Sequence, residues 1–332
     1  MTRPGGAGAK VPGGMVMVYM PDRGVGDLMW HLPTLRSIAA RALEGKVLLA
    51  ARPSSRAREL LAGEPCVEAV DYLEYRSGAL RHLAEILDFY RLCRQRRPRA
   101  VWILEKIDRP AIGAALASVR ERRGFGLGHG QERWLTHGPF LPRAMRPAHR
   151  IEKLAAFEEA HGLKVASREP ALAPAPAALR AVEERFGHLP KPWIVYGVGA
   201  SEPRRCWPLD RFTGLSAALS DLGGTHFWLG GPDDSVAVET ELKRADRGCI
   251  NVNVCDLKLD AGAALLSRAD LFIGNDSGPL NLAASVGIPS IGLFGDSPPL
   301  DYSRFLRPVI GPRGGMSALS VESVAGIARL SL

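Results

Sequence analysis

Short unbroken apolar runs alternate along this chain with stretches of helical spacing. MVMVYM (15–20), KVLLAA (46–51) and AVWILE (100–105) occur in the first half. WIVYGVG (193–199), THFWLGG (225–231), LFIGN (271–275) and IPSIGLFG (288–295) occur in the second. Runs of this length without polar alternation are the mark of strands buried on both faces, as in parallel sheets covered by helices. Between the two sets lies REPALAPAPAALRAVEERFGHLPKP (168–192), rich in Ala and Pro, which reads as a connection wrapped around a helix. The pattern predicts an α/β chain of two domains, 15–170 and 171–332, preceded by a flexible tail over 1–14. A length of 332 residues suits two cores of ordinary size. In such an architecture a ligand is expected at the carboxyl ends of the strands, in a cleft between the domains.

Polar residues crowd several of these strand ends. In NDSGPLNLAASVG (275–287) turn chemistry opens a helix at Asp276, Ser277, Gly278 and Pro279, and Gly287 closes it. A helix start offers unpaired N–H groups and partial positive charge, which suits phosphates; Asp276 or Ser277 could instead serve only as an N-cap. A second polar loop, GDSPP, comes after the next strand. YGVGASEPRRCWPLDRF (196–212) runs from a strand into small residues, Gly199, Ala200 and Ser201, and then Arg204 and Arg205, with Pro208 placed in the first turn of a helix. Arginine there can give charge-assisted hydrogen bonds to phosphate, or the loop is plain surface. In LGGPDDS (229–235), Asp233 and Asp234 read as ribose contacts or as helix caps. No Asp-x-Asp occurs anywhere, so no metal site is expected, and positive charge must come from helix ends and arginine.

RGVGDLMWHLP (23–33) comes directly after the first strand and puts Asp27 at a helix start. The helix dipole there favours the ionised carboxylate by about 0.3–1 kcal/mol. As a phosphate binder it is unsuited, since a like charge 4 Å away costs about 4 kcal/mol at an effective dielectric of 20. A general base is the better role, with simple helix capping as the alternative. Gly26 lies in the same turn. His31, one turn on, either faces the same cleft or packs inside.

The chain carries +8 formally, but residues 1–170 hold +10 and 171–332 hold −2. The densest basic run, RLCRQRRPRA (91–100), suits phosphates or an anionic membrane surface, or is a solvated helix end. Nothing beside it resembles a nucleic-acid-binding motif, so no nucleic-acid partner is expected. No apolar run reaches the roughly 18 residues of a membrane span, and MVMVYM is too short for a signal-peptide core, so a cytoplasmic location is expected. Five scattered cysteines with no Cys-x-x-Cys pair indicate neither a disulfide framework nor a zinc site.

Three segments, GVGDLMWHLPTLRSI, YGVGASEPRRCWPLDRF and IGNDSGPLNLAASVGIPSIGLFG, together resemble glycosyltransferase family 9, the lipopolysaccharide heptosyltransferases and their relatives. The resemblance implies the GT-B architecture, two Rossmann-like domains with parallel sheets facing a central cleft. It implies Asp27 as catalytic base, Asp276, Ser277 and Gly278 as donor sugar and phosphate contacts, and Ser201 with Arg205 in the loop that receives the diphosphate. Pro279 belongs to the same donor turn, and Asp234 falls near a position that handles the nucleoside. Where relatives usually have histidine the chain has Asn281, and Arg205 replaces the lysine that often precedes the Trp-Pro pair.

The same resemblance implies an inverting, metal-independent transferase. It would move a heptose from ADP-heptose to a hydroxyl of a bacterial surface glycan or lipid-linked acceptor, with no cofactor beyond that co-substrate and with peripheral contact at an anionic inner membrane. Gly26 and His31 are the acceptor-side candidates. A nucleotide-sugar epimerase or hydrolase on the same fold, and a non-catalytic nucleotide-sugar-binding protein, are the competing readings. A dehydrogenase is disfavoured, because the glycine run at 24–26 lacks its third glycine and no acidic residue ends KVLLAA to hold a ribose.

Overall fold

The structure, a computed structural model, describes residues 14–21, 24–128, 130–245, 248–295, 298–299, 302–311 and 315–332. The expected tail thus lies outside the described residues except for Gly14, as do Asp296 and Ser297 of the second polar loop. The chain divides into two compact units, one of residues 1–58 and 64–170, the other of 59–63 and 171–332.

In the first unit the order is β1 (Val16–Met20), α1 (Val25–Ala39), β2 (Val47–Ala51), α2 (Ala57–Leu60, shared with the second unit), β3 (Val67–Tyr72), α3 (Arg81–Arg96), β4 (Ala100–Ile103), α4 (Arg109–Leu116), β5 (Glu121–Gly124) and α5 (Arg150–Ala160). The second unit holds α6 (Pro176–Phe186), β6 (Trp193–Gly197), α7 (Leu209–Ala218), β7 (Thr225–Leu229), α8 (Ser235–Leu242), β8 (Ile250–Asn253), α9 (Leu259–Arg268), β9 (Leu271–Asn275), α10 (Gly278–Val286), β10 (Ser290–Phe294), β11 (Leu306–Ile310) and α11 (Val321–Arg329).

Both sheets are wholly parallel, and the second repeats the strand order of the first with one strand added at an edge. The first has the order β3-β2-β1-β4-β5 and the second β11-β10-β9-β6-β7-β8. In each, the chain starts mid-sheet, steps to one side for two strands and then crosses to the other, as in Rossmann folds. The strand order therefore reverses between β1 and β4 and between β6 and β9, and a crevice forms outside the carboxyl ends at such a switch. At the second switch Gly197 faces Gly274. A Cβ on Gly274 would lie 2.6 Å from the Phe272 ring and 2.7 Å from the Gly197 Cα, so only glycine fits there.

The inner strands are buried along their whole length, and in the second core the rings of Tyr196, Trp207, Phe212 and Trp228 pack edge to face or tilted on one another. β3, β5, β8 and β11, which the apolar runs do not announce, are the four edge strands. Each is partly exposed, and β11 contains Pro308, which an edge tolerates because one side of the ladder needs no donor.

Among the described residues three histidines are buried, and burial favours their neutral form. His226 lies on β7 beside Tyr196 and the Ser216 hydroxyl, which is 2.8 Å from its Nδ1, and burial pulls its pKa down to about 4. Burial, assisted by Arg150, lowers His31 to about 4, and burial with Arg123 lowers His161 to about 3. Unfolding frees each to protonate near pH 6.5, so the unfolded chain binds more protons as pH falls from there toward 4. Stability is therefore complete above pH 6.5 and declines below it, by up to about 1.4 kcal/mol per pH unit for each histidine. Urea unfolding at pH 7 and pH 5 should show a clearly lower midpoint at pH 5; equal midpoints would contradict the buried neutral assignments.

Candidate functional site

At the switch of the second unit, Asn275 ends β9 with its side chain fully buried. Its Nδ2 donates to the Val198 carbonyl at 2.7 Å, and its Oδ1 accepts from the Trp207 backbone N–H at 2.9 Å. One amide thus ties the end of β6 and the loop after it to the start of the β9–α10 turn. The Trp207 indole, also buried, donates to the Leu319 carbonyl at 3.1 Å and anchors the far side of that loop. Neither residue is signalled by the sequence, where NDSGP points to its aspartate and WPL to its proline. Pro208 stands just before α7 as its cap residue, not in the first turn, because its ψ of 137° is extended.

After Asn275 the chain turns into α10. Ser277 is the N-cap residue in extended conformation, yet its hydroxyl makes no capping bond. The Oγ is buried and has no hydrogen-bond partner among the described residues. The alternative that this serine is present to cap the helix therefore fails for its side chain. Gly278 begins the helix, Pro279 sits in the first turn, where a missing N–H is harmless, and Gly287 ends the helix with a φ of 85°. First-turn amides have no acceptor within a helix, so this end presents donors and partial positive charge.

Arg205 stands beside that end. Its Nη1 lies 3.5 Å from Asp276 Oδ2 and its Nη2 2.8 Å from Glu202 Oε1, while Nε is buried without a partner among the described residues. Arg204 instead points outward and bonds Glu202 Oε2 at 2.7 Å, which is the main cause of the lowered Glu202 pKa. Ser201 is exposed on the same loop. Asn281 spends both ends of its amide locally: Nδ2 donates to the Ser277 carbonyl at 3.1 Å, and Oδ1 accepts from the Tyr302 hydroxyl at 2.5 Å. Tyr302 is a site neighbour that no motif signals.

Asp234 closes the short turn Pro232–Asp234, its Oδ2 accepting from the Gly231 N–H at 2.7 Å. A Cβ added to Gly199 or Gly230 would meet the same oxygen at 2.5 or 2.7 Å. The carboxylate is folded back on its own turn, close to the loops that leave β6 and β7, and makes no side-chain cap bond to α8.

In the first unit, α1 begins after Gly24, its cap residue, with Gly26 buried and Asp27 half-buried in the first turn. Asp27 is therefore not the N-cap. His31 takes the interior of the two places open to it, fully buried, with Nδ1 donating to the Asp27 carbonyl at 2.7 Å. Its ring is thereby tied to the turn that carries Asp27. The helix runs through Pro33 and ends at Ala39. Among the described residues, no three His, Cys, Asp or Glu side chains converge as a metal site requires, and no helix is long and apolar enough to cross a membrane.

Residues 117–309 match the model of the glycosyltransferase family 9 (heptosyltransferase). Lipopolysaccharide heptosyltransferase 3 of Escherichia coli is 32% identical over 130 residues, 36% of this chain and 36% of that protein, so the similarity spans about a third of the curated relative. Solved structures extend the likeness to the whole fold. A family 9 glycosyl transferase from Veillonella parvula matches with a TM-score of 0.79 at 18% identity, over 96% of this chain and 97% of that one. E. coli ADP-heptose lps heptosyltransferase II matches at 0.74 and 20% identity, over 96% and 98%. E. coli heptosyltransferase WaaC with ADP-2-deoxy-2-fluoro heptose matches at 0.73 and 16%, over 96% and 100%. The two Rossmann-like units thus have the GT-B fold, and with more than half of its length matched by the family model, the chain belongs to glycosyltransferase family 9.

Proposed function

We propose that the chain is an inverting glycosyltransferase that moves a heptose from ADP-heptose to a hydroxyl of a lipopolysaccharide-type acceptor. The observation that carries this reading is the start of α10, where a buried serine hydroxyl without a partner among the described residues, first-turn amides and Arg205 converge. That is a receptor for an anion, and a nucleoside diphosphate leaving group is one. Family membership and the ADP-2-deoxy-2-fluoro heptose complex of a fold relative support the choice of donor.

The acceptor oxygen attacks the anomeric carbon, its proton passes to the Asp27 carboxylate, and the bond from sugar to diphosphate breaks with both electrons going to ADP. Asp27 suits the base role better than His31, whose ring is enclosed and already bonded to a carbonyl. The new negative charge on ADP is met by Arg205 and the α10 amides, donors oriented before reaction. Asp276 would repel a phosphate held against it by about 4 kcal/mol at 4 Å and an effective dielectric of 20, so it is assigned to hydroxyls of the donor sugar. Ser277 and Gly278 contact the diphosphate, Pro279 shapes the turn, and Ser201 lies on the adjoining loop. Asn281, bonded to Tyr302, orients the donor end without an ionisable group. Asp234 holds the nucleoside side of the pocket in shape. A lipid-linked acceptor places the enzyme on the cytoplasmic surface of the inner membrane, with the basic first unit toward anionic groups.

Asp27→Asn should lower kcat by about 10²–10⁴ while leaving ADP-heptose affinity within a factor of two. Equal turnover of variant and wild type would remove the base assignment. Nucleotide release independent of acceptor would favour the hydrolase or epimerase reading. Arg205→Ala should weaken ADP binding by about 10–100-fold in calorimetry, as loss of a charge-assisted bond implies, and unchanged affinity would take the diphosphate away from this loop.

A further inference from the structure

α3 has two unlike faces. Inward, Phe89, Leu92 and Cys93 are buried, and Gly113 of α4 lies so close that a Cβ there would sit 2.8 Å from the Ile86 carbonyl oxygen. Outward, Leu80 at the cap, Leu83 and Leu87 are 74%, 52% and 37% exposed, and Tyr75 just before the helix is 55% exposed. Positions 80, 83, 87, 91 and 94 fall on one stripe of a helix with 3.6 residues per turn, so the leucines continue directly into Arg91 and Arg94. Single exposed leucines are common, but three in line on one helix are not scattered.

At the C-terminal end of the same helix lies a cavity of about 430 Å³ lined by Arg94, Arg97, Arg99 and Arg120, with no acidic residue in its wall. Nearby arginines have carboxylate partners, Arg91 with Asp88 and Arg96 with Asp71. Among the described residues none of the four that line the cavity has one. Four arginines lining one hollow suit an anion with several oxygens, which is the chemistry of a phosphate group. A soluble phosphate would leave the adjoining leucines uncovered. A lipid bilayer serves both halves of the stripe, the leucines entering the acyl boundary and the arginines meeting headgroup phosphates.

We propose that the outer face of α3 and the arginine-lined cavity at its end form the surface by which this protein docks on an anionic phospholipid bilayer. The cavity lies where the chain enters β4 and β5, at the opposite end of the parallel strands from the end of β1, which leads into Gly24–Asp27. The proposal deepens the membrane contact in the proposed function but needs neither the donor nor the sugar-transfer step.

The test is co-sedimentation of the full chain, without donor or acceptor, with vesicles of phosphatidylcholine alone or mixed with phosphatidylglycerol. Wild type should bind the anionic vesicles and lose binding as salt rises. Arg94→Gln/Arg97→Gln/Arg120→Gln should weaken binding roughly 100-fold, from about fivefold per arginine. Leu83→Glu/Leu87→Glu should weaken it at least tenfold, and both variants should keep the wild-type melting temperature and turnover on a soluble acceptor. Absence of vesicle binding, equal binding to both vesicle types, or full binding by the leucine variant would overturn the proposal. Stabilisation of wild type but not the arginine variant by inorganic phosphate, with no vesicle binding, would overturn it in favour of a soluble-anion site. A failure of transfer activity would leave the vesicle result standing, so the two readings fail separately.

Discussion

The candidate donor site depends on one buried amide. Asn275 is sealed from solvent, so its donor and acceptor must both be met by protein, and they are met by Val198 and Trp207 from the loop after β6. Leaving either backbone partner unbonded in that interior would cost about 1–3 kcal/mol. The amide therefore makes the position of the Arg205 loop and the position of the α10 start a single structural fact. Trp207 is bonded at its other end to Leu319, which ties the far side of that loop to the chain before α11.

Within that framework, the charges divide the labour. Arg205 stands beside the helix end, and its carboxylate neighbours Glu202 and Asp276 lie at distances of 2.8 and 3.5 Å. An anion arriving at α10 can draw on the same guanidinium without creating a buried unpaired charge first. Asp234 contributes in the opposite way, giving its oxygen to a backbone amide so that the neighbouring loops close around it. In the first unit the His31 ring is bonded to the Asp27 carbonyl, and its neutrality is a consequence of burial.

The strands that are legible from apolar runs are the inner ones, because only a strand flanked on both sides and covered on both faces is apolar at every position. VEAVDY, ERRG, INVN and LRPVI have one free edge and partly wet faces, so their sequences contain the charges and the proline that an inner strand would exclude. The same limit applies at the site. Turn residues such as Ser277, Gly278 and Pro279 announce themselves by local chemistry, whereas Asn275 and Tyr302 act through partners 68–77 and 21 residues away, which no local pattern encodes. The three family-like segments are readable because each is a contiguous strand end with its loop.

The sequence alone determined the α/β class, the two-unit plan, the inner strands and the loops that carry the candidate chemistry, since all of these arise from apolar periodicity and turn-forming residues close together in the chain. Only the tertiary structure decided that Ser277 does not cap its helix, that Asp234 bonds its own turn, that His31 lies inside and that four arginines of the first unit share one cavity. Each of those outcomes is a choice among partners brought together by folding, and hydrogen bonding and burial are settled by distance in space.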